Sequence, residues 1–134
     1  MTIENFASAS LSRGDHIAPD KLHPGLAKAQ TLILREYRRG PSLKELAKAA
    51  HCSPFHFHRI FKKAYGKTPK RAILELKIAE VQRLALSGVT FTEASAAVGF
   101  SNQSHMITTF KRLVGATPRV WLREHGGADL RSFL

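Results

Sequence analysis

The chain has 134 residues, 43% of them apolar, with 21 Lys and Arg against 10 Asp and Glu and a formal net charge of +11. That length holds one domain or two very small ones, and the apolar share excludes a disordered chain. A single cysteine, Cys52, excludes an internal disulfide and with it the disulfide-stapled secreted scaffolds. No apolar run approaches the ~20 residues that a membrane span needs, and the start MTIENFASASLSRGDH has no basic segment followed by an apolar one, the mark of a secretory signal. The chain is expected to be cytosolic. Its positive charge lies mostly after residue 20, because Glu4, Asp15 and Asp20 outnumber Arg13 before it. Such an excess favours a polyanionic partner.

Residues 1–22 are polar and without periodicity, and read as a flexible arm. After His23-Pro24-Gly25 a helix begins, with Leu26, Ala29, Ile33 and Tyr37 on one stripe and Gly40-Pro41 as its stop. Ser42-x-x-Glu45 forms a capping box, in which two side chains satisfy orphan N–H groups of a helix start, and it predicts a short helix to about Ala50. Ser53 before Pro54 marks the next start, a hydroxyl N-cap with proline at the first helical position. That helix runs to about Tyr65, where Gly66 stops it.

Thr68-Pro69 opens the longest helix, to about Ser87, with Ile73, Leu76, Val81 and Leu84 near helical spacing and Gly88 at its end. Its roughly 18 residues make a strut of about 27 Å. Thr90-x-x-Glu93 nearly repeats the capping box, with Thr92 as a second possible cap. A short helix, a turn and a longer helix to Val114 follow, and Thr117-Pro118 opens a last short helix. The tail 126–134 reads as loose, and no segment has the pattern of a strand.

The second half repeats the first. Glu45 returns as Glu93, and Phe61-Lys62-Lys63…Gly66-x-Thr68-Pro69 returns as Phe110-Lys111-Arg112…Gly115-x-Thr117-Pro118. The offset is 48 at the glutamates and 49 at the phenylalanines, so the second copy gains one residue before its longer helix, with Ser101 near the place of Ser53. Two copies are too few for a solenoid. On a basic chain they indicate a duplicated binding module.

Short helix, tight turn and longer helix make a helix-turn-helix, whose second helix fits the DNA major groove. In the first copy Phe57, Ile60, Phe61 and Ala64 share a face and are expected to pack inward. Phe55, His58 and Arg59 are then candidates for base edges, with arginine suited to guanine and phenylalanine to a thymine methyl. Ser53, His56, Lys62 and Lys63 are candidate phosphate contacts. In the second copy Met106, Phe110 and Leu113 are expected to face inward. Asn102, Gln103, Ser104, His105 and Thr108 are expected to face outward, with Lys111 and Arg112 flanking them as candidate phosphate contacts.

Other readings fit less well. His56 and His58 lie two apart, about 200° around a helix, and cannot share a metal from one face, so neither a metal nor a cofactor is expected. Cys52 sits where a small apolar residue packs in the turn, which makes it a buried thiol rather than a nucleophile. The chain has no paired carboxylates, Gly-rich phosphate loop or Ser/His/Asp spacing, and no enzyme is expected. Phe57, Phe61 and Phe110 stand at core positions, where they cannot form a membrane-binding face or a platform for unpaired RNA bases. The remaining rival is a protein-interaction adapter on RNA polymerase or another regulator, with only non-specific DNA affinity.

The motifs Leu43-x-x-Leu46-Ala47, Arg59-Ile60-Phe61-Lys62-Lys63, Gly66-x-Thr68-Pro69, Val98-Gly99-Phe100-Ser101, Phe110-Lys111-Arg112 and Gly115-x-Thr117-Pro118 resemble the DNA-binding domain of the AraC/XylS transcription regulators. The resemblance covers about residues 24–124. Carried over residue by residue, it puts base contacts on Phe55, His58 and Arg59 and then on Gln103, Ser104, His105 and Thr108, with Asn102 among the backbone contacts. It implies an all-α fold of about seven helices, two tandem helix-turn-helix units joined by a long linker helix, divided as 23–88 and 89–125. It also implies an activator bound as a monomer to double-stranded DNA, with RNA polymerase as a partner, in the bacterial cytoplasm at the nucleoid. Four positions depart from the family. Thr108 stands where arginine is common, Ile107 where a small polar residue is common, Ser95 where alanine is favoured, and Lys77 where arginine is usual. The first two predict weaker readout by the second unit, and the last removes a bidentate group from the linker helix.

Overall fold

In a computed structural model of the chain, residues 23–126 are described. The expected arm 1–22 lies outside them, as does the expected tail 126–134 apart from Gly126. The described residues are all-helical, with seven helices in two helix-turn-helix units joined by a long helix. They are α1 (Leu26–Glu36), α2 (Leu43–Ala49), α3 (Pro54–Tyr65), α4 (Pro69–Leu86), α5 (Phe91–Ala97), α6 (Gln103–Val114) and α7 (Pro118–His125). The described residues divide within α4 into two compact units, 23–76 and 77–126.

Local chemistry sets most helix ends. The Ser42 hydroxyl accepts the Glu45 N–H, and the Glu45 carboxylate takes the Ser42 N–H, which completes the capping box. Ser53 caps α3 through the His56 N–H at 3.2 Å. Gly66 and Gly115 end α3 and α6 in the left-handed conformation, with φ of 74° and 93°. Thr90, not Thr92, caps α5 by accepting the Glu93 N–H.

The core of the first unit is a cluster that includes Leu26, Ala29, Ile33, Leu46, Phe57, Phe61, Ala64 and Tyr65, all almost fully buried. Gly25 lets α1 start hard against the end of α2. A Cβ there would lie 2.2 Å from the Ala50 carbonyl oxygen. The Tyr65 hydroxyl donates to Gln30 Oε1 at 2.7 Å, and burial pushes its pKa up to about 12. At the surface, Arg39 grips both Glu45 oxygens at 3.1 and 2.7 Å and Glu36 at 3.0 Å. The Arg39 guanidinium thereby holds the Glu45 carboxyl below the usual carboxylate range, helped by the Ser42 N–H.

The linker helix departs from a simple stripe. Every residue from Ala72 to Ile78 is buried, including Glu75 and Lys77, so this part of α4 is surrounded rather than half exposed. Further along, Ala85 is buried where Leu84 was expected, and Leu84 is half-buried. In the second unit Met106 and Phe110 are fully buried as expected, but the third inward residue is Thr109. Leu113 is only half-buried because it lies in the last turn of α6, beyond most of what the helix packs on. Trp121 of α7 meets Phe110 edge-to-face at 5.7 Å.

The extra residue of the second copy is Ser101. Thr90 caps α5 as Ser42 caps α2, at an offset of 48, whereas Asn102 caps α6 as Ser53 caps α3, at an offset of 49. Asn102, not Ser101, is therefore the counterpart of Ser53. Both turns close alike, with Cys52 N–H on the Ala47 carbonyl and Phe100 N–H on that of the buried Ser95, at 2.9 and 3.1 Å. The turn needs a left-handed residue, which is Gly99 (φ 84°) in one copy and His51 (φ 59°) in the other. A Cβ in that region crowds the carbonyl and costs roughly 1–2 kcal/mol, partly offset by the greater chain entropy that glycine loses. His51→Gly is expected to raise the stability of the chain by about 0.5 kcal/mol, seen as a higher urea midpoint at unchanged slope.

Candidate nucleic-acid interface

On α3 the residues opposite the buried Phe57, Phe61 and Ala64, counted at about 100° per residue, are Phe55, Arg59 and Lys62. Phe55 is 79% exposed, which for a phenylalanine on an otherwise polar face marks a contact surface rather than a core position. Phe55, His58, Arg59, Lys62 and Lys63 line one shallow, open depression. His58 stands at one flank of α3 and His56 at the other. The His56 ring lies 6.2 Å from that of His23, so the two α3 histidines face apart, as their spacing requires.

Cys52 lies in the turn before α3, half-buried against the core. The Gly25 N–H donates to His23 Nδ1 at 2.9 Å, which leaves the proton on Nε2. That N–H faces the Cys52 sulfur at 3.5 Å, and the thiol donates to the Ala50 carbonyl at 3.4 Å. Burial pushes the thiol pKa up, the opposite of what a nucleophile requires.

On α6 the residues opposite Met106 and Phe110 are Ser104, Thr108 and Lys111, all exposed. Gln103 and His105 stand on opposite flanks, and Arg112 lies beside Thr108. His105 is held edge-to-face on Phe100 at 5.2 Å, which fixes its ring at the rim of the face. Asn102 Oδ1 accepts the His105 N–H at 2.8 Å, so this candidate phosphate contact also caps the helix. Ile107 is 38% exposed on the same side of α6 as Gln103. It was expected only as a departure from the family pattern, and structurally it adds an apolar group to the outward surface.

At the offset of 49, Arg59 corresponds to Thr108, Phe55 to Ser104, His58 to Ile107, and Lys62-Lys63 to Lys111-Arg112. The two faces therefore share their basic flank and differ at the centre. The first carries a guanidinium and an aromatic ring; the second carries hydroxyls and an aliphatic side chain.

Two residues outside the sequence-derived candidates shape the second unit. Lys77 is buried, its Nζ donating to the Gly99 carbonyl at 3.1 Å and lying 5.4 Å from the Phe100 ring centre. Desolvation lowers its pKa. It holds the turn ahead of α6 through one hydrogen bond to a backbone carbonyl. The Thr92 hydroxyl of α5 donates to Gln103 Oε1 at 3.0 Å. Neither contact has a sequence signal, since the partners are 22 and 11 residues apart.

A family model described as a helix-turn-helix domain matches residues 46–124. The uncharacterized HTH-type transcriptional regulator YobQ of Bacillus subtilis is 33% identical over 81 residues, which is 60% of this chain and 34% of that protein. The bifunctional transcriptional activator/DNA repair enzyme AdaA of Bacillus subtilis is 33% identical over 78 residues, 58% of this chain and 37% of that protein. The chain thus spans about a third of the length of these relatives. Among solved structures, the C-terminal domain of AraT, a response regulator from Geobacillus stearothermophilus, shares the fold with a TM-score of 0.71 at 23% identity, over 78% of this chain and 88% of that one. The duplicated, capped helix-turn-helix units and the match across most of the described residues place the chain in the AraC-type helix-turn-helix family, DNA-binding domains of transcription regulators.

Proposed function

We propose that this chain binds DNA sequence-specifically to regulate transcription, with α3 and α6 as its two recognition helices. The observation that carries this reading is the pair of outward faces at corresponding places. Each sits on the second helix of a helix-turn-helix and is flanked by two basic residues, Lys62-Lys63 and Lys111-Arg112. On α3, Phe55, His58 and Arg59 meet base edges, while Ser53, His56, Lys62 and Lys63 hold phosphates. On α6, Gln103, Ser104, His105 and Thr108 are the base readers, and Asn102, Lys111 and Arg112 the phosphate contacts. Because the two faces differ in their central residues, the operator is asymmetric and bound by one copy of the chain. Its length is roughly 20 base pairs, two major-groove turns of about 10. Activation through contact with RNA polymerase belongs to the same proposal and rests on family membership.

The test is selection from a random duplex library with the enriched pool retitrated across salt. One asymmetric motif with two blocks a turn apart is the expected result. A single block would reduce α6 to a phosphate clamp, and binding without enrichment, lost in salt, would favour the adapter reading. Within this scheme Lys63→Ala should weaken binding to all sequences alike and flatten the dependence of log K on log salt by about one phosphate's worth. An unchanged slope in the same titration removes Lys63 from the phosphate contacts.

A further inference from the structure

We infer that Thr92, on the first helix of the second unit, is a positioning residue that fixes the Gln103 amide so that α6 reads guanine in preference to adenine. The inference rests on the reading of α6 as a recognition helix. Thr92 is the second residue of α5 and Gln103 the first of α6, both exposed, and their side chains meet at 3.0 Å. Thr92 has been released for this contact, because the cap of α5 is made by Thr90.

The chemistry follows from which end of the amide is engaged. A free glutamine can turn either end of its amide to a base, and it pairs bidentately with adenine by accepting from N6 and donating to N7. With the Thr92 hydroxyl donating to Oε1, the carbonyl end is held toward α5 and the NH2 end, with its two donors, is left for the groove. Guanine presents two acceptors there, O6 and N7, and suits a donor-only group. A side chain already ordered by a hydrogen bond also loses less rotamer freedom on binding. The first unit has no such device. The positions that correspond to Thr92 and Gln103 are Lys44 and Pro54, and proline offers no amide side chain.

The test uses the full chain and the duplex enriched by selection, with all four base pairs placed in turn at each position of the half-site assigned to α6. Fluorescence anisotropy titrations compare wild type, Thr92→Val, Thr92→Ser, Gln103→Ala and the double variant Thr92→Val/Gln103→Ala. Gln103→Ala identifies the base pair that Gln103 reads. At that pair Thr92→Val is expected to reduce the guanine-over-adenine preference by at least about five-fold, the low end of what one bidentate contact provides. Thr92→Ser, which keeps the hydroxyl, is expected to retain the preference, and the double variant to match Gln103→Ala. Because Thr92 is exposed, the thermal melts should coincide. If Thr92→Val leaves the preference intact where Gln103→Ala abolishes it, the inference fails and the recognition-helix reading stands. Equal weakening on every duplex also overturns the inference, by making Thr92 a phosphate contact. A wild type with no base preference in this half-site removes the underlying reading as well.

Discussion

Replacing Glu75 by alanine is expected to destabilise the chain by about 2–4 kcal/mol. The Glu75 side chain is 9% exposed, and one of its oxygens takes Lys67 Nζ at 2.6 Å while the other takes Arg71 Nε at 3.3 Å. The Lys67 side chain is itself only 15% exposed. Removing the carboxylate opens a cavity and takes away an acceptor that two cations share in a largely buried place, and breaking a buried ion pair is costly. Arg71, half in solvent, contributes much less. The bridge also ties the loop between α3 and α4 to the second turn of the linker helix, so its loss loosens the C-terminal anchor of α3. Urea denaturation of Glu75→Ala should show a lower midpoint at unchanged slope. Glu75→Gln keeps the shape and one acceptor oxygen but also removes the charge, and should lose most of what Glu75→Ala loses. A much smaller loss in Glu75→Gln would mean that packing, not charge, holds this site.

Arg59→Ala is expected to cost about 1–3 kcal/mol of affinity on the cognate duplex and to relax specificity at one base pair. Arg59 stands at the centre of the outward face of α3, exposed and beside Phe55, His58, Lys62 and Lys63. A guanidinium there can pair bidentately with guanine, and lysine cannot replace that fork. The corresponding Thr108→Ala is expected to change affinity much less, since a hydroxyl makes at most one contact with either of several bases. Competition titrations against duplexes altered at single positions separate the two. A uniform loss for Arg59→Ala on all sequences would make it a phosphate contact, and an unaffected affinity would support the adapter reading of the whole chain.

The helix plan was legible before any coordinates because it is written in short-range chemistry. Ser42 with Glu45, Ser53 with Pro54, Thr117 with Pro118 and the stops at Gly66 and Gly115 act within four residues of the groups they satisfy. The inward stripe of α3, Phe57, Ile60, Phe61 and Ala64, follows from the helical period alone and is buried as expected. Less was legible at the ends of helices. Leu113 fits the stripe of α6, yet burial depends on what a neighbouring element covers, and the last turn is covered less than the turn that holds Thr109. The repeat located the extra residue only to the stretch before α6. The hydrogen bonds of Asn102 and Thr90 assign it to Ser101, because a cap is defined by the N–H group it accepts and not by resemblance of residue types.

By itself, then, the sequence determined the all-helical class, the two helix-turn-helix units, the outward faces of α3 and α6, and the excess positive charge that directs them toward a polyanion. These depend on period, local capping and composition, which are properties of neighbouring residues. Only the tertiary structure decided that Lys77 is buried on the Gly99 carbonyl, that Glu75 is clasped by Lys67 and Arg71, that His105 is braced by Phe100, and that Thr92 holds Gln103. Each of these depends on where one element comes to rest against another. Whether a charged side chain on a helix is solvated or desolvated is set by that packing, and no local pattern encodes it.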